Sequence, residues 1–128
     1  MIPLSVPNIF GNELKYVKEC LDTGWISSAG DYVHKFEESV RIYTGSRYAI
    51  ACMNGTAGLQ ISLQLAGVSS DDIVIAPNLT FVATLNAVSY TGAQIMLIDI
   101  CKNTWKLDVD LLSNWLKENT KNKPKAII

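Results

Sequence analysis

The sequence of 128 residues is poor in cysteine, and its three cysteines are isolated from one another. Cys20, Cys52 and Cys101 form no CxxC or CxxH spacing, and their number is odd. A disulfide framework and a zinc site are therefore disfavoured, because both need paired cysteines or a cluster of cysteine and histidine. The cysteine pattern predicts a cytoplasmic protein that holds no metal.

Long hydrophobic runs and basic runs are also missing. No window approaches the roughly 20 apolar residues of a membrane-spanning helix. The N-terminus has no basic segment leading into a sustained apolar one, so a signal peptide is not predicted. Eleven basic residues stand against 12 acidic ones, for a net charge of -1, and they do not cluster. We therefore expect neither a membrane surface nor a nucleic acid as a partner.

The sequence does contain ample material for a buried core, since 48% of its residues are hydrophobic and 18% are charged. Pro3 and Pro7 predict an extended N-terminal arm. A helix is predicted over residues 11–21, with Gly24 as its stop, and a second helix is predicted with Asp31 as its cap and Gly45 as its stop. The apolar face that this second helix would bury consists of Val33, Phe36, Val40 and Tyr43.

Short apolar runs then alternate with helical segments. The runs cover residues 48–53, 73–76 and 95–98, and the helices between them cover residues 56–66 and 80–90. Continuous apolar runs without alternation are typical of parallel strands buried on both faces. The order predicts an α/β fold built on a parallel sheet, followed by a helix that begins at Asp108 or Asp110.

The last four residues, 125–128, predict the opening of a fourth buried strand. A domain seldom ends inside a central strand, because the neighbouring strands would lose their hydrogen-bond partners. We therefore expect the sequence to be the N-terminal part of a longer one. A short natural C-terminal strand is the alternative.

Residues 54–58 (NGTAG) are the first candidate for chemistry, because they join a predicted strand to a predicted helix. Free amides and the helix dipole favour an anion at such a helix start, and small residues let a phosphate approach the backbone. Spacing alone favours an ordinary turn and cap. No GxxxxGK[ST] or GxGxxG motif supports a different phosphate loop.

Two further candidates follow the next strands. Phe81 opens the helix after residues 73–76, where it could lie against an aromatic ligand, while Thr80 could cap the helix or contact the ligand. Asp99 ends the strand at residues 95–98. The carboxyl ends of parallel strands share one edge of a sheet, where α/β proteins bind ligands. For Phe81 the alternative is a core residue and for Asp99 a cap, and spacing favours both alternatives; the single histidine, His34, is expected to be solvated.

These segments together resemble the start of the DegT/DnrJ/StrS family of PLP-dependent sugar aminotransferases. The segments that carry the resemblance are IPLSVPN, GWISSAGDYVHKFEESV, YTGSRYAIACMNGTAGLQISLQLAGV, DIVIAPNLTFVATLNAVSYTGAQIMLIDI and NTWKLDVDLL. The resemblance implies the large domain of the aspartate-aminotransferase type (PLP fold type I), incomplete here, with residues 1–128 as the arm and first part of that domain. It also implies a homodimer in the complete protein, whose remaining large domain and small domain would lie beyond this sequence.

The family's roles carry over by position. Gly55, Thr56 and Ala57 match the turn that holds the phosphate of pyridoxal phosphate (PLP), and Phe81 matches the aromatic residue that stacks on its pyridine ring. The residues that match the loop near the mouth of the active site, where substrate binds, are Trp25, Ser27 and Ser28. Gly58 stands where the family usually has alanine, a departure that should not disturb phosphate binding.

No catalytic residue is expected within the sequence, because the family's Schiff-base lysine lies beyond residue 128. The resemblance implies an enzyme that moves an amino group from glutamate to a keto group of a nucleotide-linked sugar, and it implies that these 128 residues alone are inactive. One alternative is a dehydratase of the same family, in which histidine replaces the lysine. The other is a non-catalytic binding or regulatory fragment.

Overall fold

The computed structural model describes residues 2–3 and 5–128, and the chain divides between Ala51 and Cys52 into two compact units. In the first unit, the described residues of the N-terminal arm up to Phe10 contain no helix or strand, as the prolines predict. Met1 and Leu4 of the predicted arm lie outside the described residues.

Two helices follow in the first unit: α1 spans Glu13–Thr23 and α2 spans Asp31–Thr44. Both end at a glycine in the left-handed conformation, Gly24 with φ 74° and Gly45 with φ 69°, which only glycine adopts at little cost. Both predicted stops are confirmed. The predicted cap is wrong, because Gly30 occupies the cap position and Asp31 is the first helical residue.

The apolar face predicted for α2 is not a core in this structure. Val33 and Val40 are half-buried, whereas Phe36 is 60% exposed and Tyr43 is 93% exposed. A helix face becomes buried only when another surface covers it, and the described residues of the first unit offer no sheet. All the buried apolar side chains of the described chain lie in the second unit.

The second unit alternates helices and strands, as predicted. Its elements are α3 (Gly55–Leu65), β1 (Ile73–Pro77), α4 (Val82–Ser89), β2 (Gln94–Ile98), α5 (Val109–Glu118) and β3 (Ala126–Ile127). The strands form a parallel sheet in the order β2-β1-β3, so the parallel sheet is confirmed. Its register pairs Ile73 with Gln94 and Pro77 with Ile98.

The core lies around β1, the central strand. Val74, Ile75 and Ala76 are fully buried, because β1 has a strand on each side and helices against it. β2 and β3 are the edge strands, and Leu97 and Ile127 remain 44% and 51% exposed. The prediction that the strands are buried on both faces is therefore wrong for β2 and β3. The core cluster consists of Leu63, Val68, Val74, Ala87, Val88 and Ala93.

The strand predicted over residues 48–53 is wrong. This segment contains no strand, and its large apolar side chains are exposed: Tyr48 by 76%, Ile50 by 85% and Met53 by 91%. An extended segment becomes a strand only when its backbone groups pair with a neighbour, and no described segment pairs with this one. Cys52 is exposed for the same reason.

Candidate functional site

The carboxyl edge of the sheet gathers the starts of two helices. β1 and β2 run parallel and end side by side at Pro77 and Ile98. Because α4 connects these parallel strands, it runs back across the sheet and begins at their carboxyl edge. α3 leads through the turn at Gly67 into the start of β1, so it also begins at that edge. Ligands of α/β sheets bind at this edge.

The start of α3 is a capped turn with two free amides. Asn54 is the cap: its side-chain oxygen accepts the amide of Ala57 at 2.9 Å, and its carbonyl accepts the amide of Gly58 at 3.1 Å. The amides of Gly55 and Thr56 have no acceptor within the described part of the chain. Two free amides at the positive end of a helix dipole can bind an anion.

The space in front of these amides is open. A Cβ atom built on Gly55 would have no heavy atom of another described segment within 4 Å, so no described residue outside the turn occupies that position. The hydroxyl of Thr56, which is half-buried, makes no hydrogen bond to another described residue. Two amides and one hydroxyl facing open space fit a phosphate group.

Gly58 faces a different neighbour. A Cβ atom at this position would lie 3.2 Å from Sγ of Cys52. The thiol is exposed and can rotate, so the missing methyl group reflects local packing and leaves the open face at Gly55 unaffected. This geometry agrees with the expectation that glycine at position 58 does not disturb the turn.

Phe81 is the N-cap of α4, with an extended backbone (φ -68°, ψ 137°). Its ring is 79% exposed, so the alternative interpretation as a core residue is wrong. The exposed ring lies at the carboxyl edge of the sheet, where a planar ligand can stack on it. Thr80 does not cap the helix, because its hydroxyl bonds to the hydroxyl of Thr84 at 3.0 Å.

The interpretation of Asp99 as a local cap agrees with the structure. Its carboxylate accepts the amide of Ile100 at 2.8 Å, and its carbonyl accepts the amide of Asp108 at 3.0 Å. Its carboxylate is engaged in the turn that follows β2. Asp108 in turn caps α5 through the amides of Asp110 and Leu111.

In the first unit, a cavity of about 440 Å³ lies beside α1 and α2. Trp25 and Ser27 line it, whereas Ser28 does not. Tyr32 also lines it, and its hydroxyl donates to Glu19 Oε2 at 2.7 Å, a bond that raises the pKa of Tyr32 to about 12. The cavity therefore combines one indole and one phenol with two carboxylates, from Glu19 and Asp31, and with the hydroxyls of Thr23 and Ser27.

A larger groove of about 820 Å³ runs along α5 and β3 and contains none of the predicted site residues. His34 is 77% exposed, with Nδ1 3.6 Å from Glu37 Oε2, and agrees with the expectation that it is solvated. Within residues 2–3 and 5–128, no group of three potential ligands is arranged to hold a metal ion. No helix of these residues is long and apolar enough to cross a membrane.

A family model described as the DegT/DnrJ/EryC1/StrS aminotransferase family matches residues 7–128. The chain belongs to this family. The resemblance seen in the sequence is confirmed, and so is PLP as the cofactor of the family. The match covers the open turn at the start of α3, the exposed ring of Phe81 and the loop at Trp25.

Relatives with curated names agree with this assignment. The chain is 40% identical over 127 residues to GDP-perosamine synthase of Escherichia coli O157:H7, covering 99% of this chain and 34% of the relative. It is 42% identical over 120 residues to GDP-perosamine synthase of Caulobacter vibrioides, covering 94% of this chain and 32% of the relative. The chain thus spans about a third of the length of the curated relatives it matches.

A solved structure named "Putative sugar aminotransferase Spr1654 from Streptococcus pneumoniae, PLP-form" is similar to this chain with a TM-score of 0.81 and 31% identity. The similarity covers 88% of this chain and 29% of that one. The predicted fold class, an incomplete large domain of PLP fold type I, is therefore confirmed. The comparison adds no role for individual residues.

Two residues that shape the site, Asn54 and Thr84, were not given an individual role in it from the sequence. Asn54 orders the turn that leaves two amides free, and a cap was signalled by an asparagine directly before the helix. Thr84 holds Thr80, and the signal was a second threonine four positions after the first, across the start of α4.

Proposed function

We propose that the complete protein is a PLP-dependent aminotransferase that moves an amino group from glutamate to a keto group of a nucleotide-linked sugar. The observation that carries this proposal is the identity of 40% and 42% with two GDP-perosamine synthases over nearly the whole chain. Those relatives make an amino sugar linked to GDP by their names, and we propose a GDP-linked keto-sugar as the substrate here.

The start of α3 is the proposed phosphate site. The free amides of Gly55 and Thr56, together with the Thr56 hydroxyl, would hold the phosphate of PLP, while Ala57 and Asn54 close the turn beneath it. The ring of Phe81 would lie against the pyridine ring. PLP supplies an electron sink for the transfer of the amino group. The residues of this chain bind and orient it.

The loop at Trp25 is the proposed substrate contact. Trp25 is 60% exposed and lines the cavity with Ser27, so its indole is available to a flat base or a sugar face. Ser27 and Ser28 would donate hydrogen bonds to hydroxyl or phosphate oxygens. These three residues contribute binding, and no proton-transfer role is assigned to them.

The chain itself is proposed to be the arm and the first part of the PLP-binding large domain. The anchoring lysine is expected beyond residue 128, and we propose that the complete protein is a cytoplasmic homodimer. The 128-residue chain alone is expected to be inactive. Borohydride should trap no specific PLP adduct on one of its lysines, and a tight adduct at a single lysine would contradict this expectation.

The test is an assay of the full-length protein with PLP, glutamate and a GDP-linked keto-sugar. We expect 2-oxoglutarate and a sugar nucleotide that has gained nitrogen, measured by coupled absorbance and mass spectrometry. A Trp25→Ala variant should raise KM for the sugar nucleotide more than KM for glutamate. A product that has lost the elements of water instead supports the dehydratase, and the absence of any turnover supports the non-catalytic alternative.

A further inference from the structure

Phe81 is flanked by two threonines whose side chains bond to each other. Thr80 directly precedes it, and Thr84 lies in the first turn of α4. Their hydroxyl oxygens are 3.0 Å apart, and both residues are half-buried, whereas the ring between them in the sequence is 79% exposed. The bond therefore ties the chain before Phe81 to the helix after it.

This tie lies at a helix start that has no side-chain cap. α3 and α5 begin with Asn54 and Asp108, whose side chains accept helix amides. Phe81 has no such group, and α4 has no side-chain cap bond. A helix start without a cap leaves its first amides unsatisfied and is prone to fraying. The other bond in the first turn is from the amide of Thr84 to the carbonyl of Phe81, at 3.0 Å.

The hydroxyl pair is suited to fix a backbone. Threonine is branched at Cβ and restricted in χ1, so the position of its hydroxyl oxygen depends closely on the backbone conformation. A half-buried hydroxyl that loses its partner is left poorly solvated, so the pair resists separation. Because Phe81 lies between the two threonines, a change in its φ and ψ angles would break their bond.

We propose that Thr80 and Thr84 are positioning residues for the cofactor. Their hydroxyl pair holds the backbone of Phe81 so that its exposed ring is oriented before PLP binds. A ring oriented in advance saves the cost of ordering it on binding. The proposal rests on the proposed function, which places the ring of Phe81 against the pyridine ring.

The test uses the full-length protein with Thr84→Val, which keeps the shape and removes the hydroxyl, and Thr84→Ser, which keeps the hydroxyl. We expect Thr84→Val to raise the Kd of PLP about three- to tenfold, the factor of one lost hydrogen bond. The visible circular dichroism of bound PLP should fall, because the signal depends on a fixed aromatic neighbour. Thr84→Ser should restore both.

Thr91→Val is the matched control, since Thr91 donates a part-buried hydroxyl bond to the Val88 carbonyl at the other end of α4. It should lower Tm as Thr84→Val does and leave the Kd and the dichroism unchanged. The proposal is overturned when Thr84→Val leaves both signals unchanged, or when Thr91→Val changes them equally.

Amide hydrogen exchange without PLP separates this proposal from the proposed function. After correction for the intrinsic rate of valine, Thr84→Val should speed exchange at the amide of residue 84, which donates to the Phe81 carbonyl, and unchanged exchange would overturn the proposal. If exchange is accelerated but the full-length protein binds no PLP, the bond between Thr80 and Thr84 does hold the backbone. The assignment of PLP as the cofactor is then refuted. The positioning role would fall with that assignment.

Discussion

Replacing Gly55 by alanine distinguishes a phosphate-binding turn from an ordinary helix start, because only the phosphate-binding turn predicts weaker binding of PLP. Gly55 is the first residue of α3, its backbone is not left-handed, and an added Cβ would meet no atom within 4 Å. Without cofactor, alanine should raise the free energy of unfolding by about 0.4–1 kcal/mol, since it restricts the unfolded chain.

With cofactor, the same methyl group should weaken binding. It would stand on the open face through which a phosphate reaches the amides of Gly55 and Thr56. The loss of one hydrogen bond to a charged group costs about 1.5–3 kcal/mol, which raises Kd by about 10- to 150-fold. A variant that is more stable and binds PLP less tightly is the signature of a phosphate site.

The assay pairs thermal unfolding of the apo-protein with a PLP titration of the full-length protein. Gly58→Ala is the control, because its Cβ would face Sγ of Cys52 and leave the open face free. We expect Gly58→Ala to keep the Kd of PLP within about twofold, since no phosphate bond is lost. If Gly55→Ala stabilises the apo-protein and leaves Kd unchanged, the turn is an ordinary helix start and the phosphate assignment is refuted.

Two further outcomes are expected. Thr56→Ala should weaken PLP binding by about 1–3 kcal/mol through the lost hydroxyl bond, and Thr56→Ser should not; equal binding by both variants would contradict the assignment. The Ser69 amide and then its hydroxyl hold the pKa of the Asp72 carboxyl below its usual range. A carboxyl group whose pKa is lower in the folded state than in the unfolded state stabilises the fold at pH values above its unfolded pKa. This stabilisation is lost as the pH falls through its folded pKa. The Asp72→Asn variant should therefore have a lower free energy of unfolding at neutral pH, and this free energy should fall less as the pH is lowered. Denaturant titrations at several pH values measure both effects. Parallel pH dependences of the variant and the unchanged protein would refute this prediction.

Local signals predicted most of the helices and the candidate turn. Asn54 before small residues signalled the start of α3, and Gly24 and Gly45 signalled the ends of α1 and α2. These features depend on residues within one or two turns of each other. Spacing in the sequence is sufficient for such contacts, because the helix itself brings the residues together.

Features that depend on distant partners were predicted less well. Residues 48–53 are apolar enough for a strand, but a strand also requires a neighbour, and no described segment supplies one. Burial of the apolar face of α2 likewise requires a second surface that covers it. No described segment covers this face, and Phe36 is therefore exposed. β2 lies at an edge because of the sheet order, and no property of its own residues encodes that order.

The candidate site shows the same division. The open face at Gly55 follows from local turn geometry, and the sequence pointed to it. The exposure of Phe81 was not predictable from spacing, because an aromatic residue at a helix start is as often part of the core. The bond between Thr80 and Thr84 depends on the direction of two hydroxyls, which only the three-dimensional structure shows.

The turn at Asn54 has a consequence for the order of folding. Its two closing bonds join residues three and four positions apart, so its contacts span a very short stretch of chain. Closing so short a loop costs little entropy and proceeds quickly. Phe81 acquires its place only after β1 has paired with β2, which requires contacts between residues about 20 positions apart. We therefore expect the phosphate end of the proposed site to form before the ring end, which waits for the sheet to assemble.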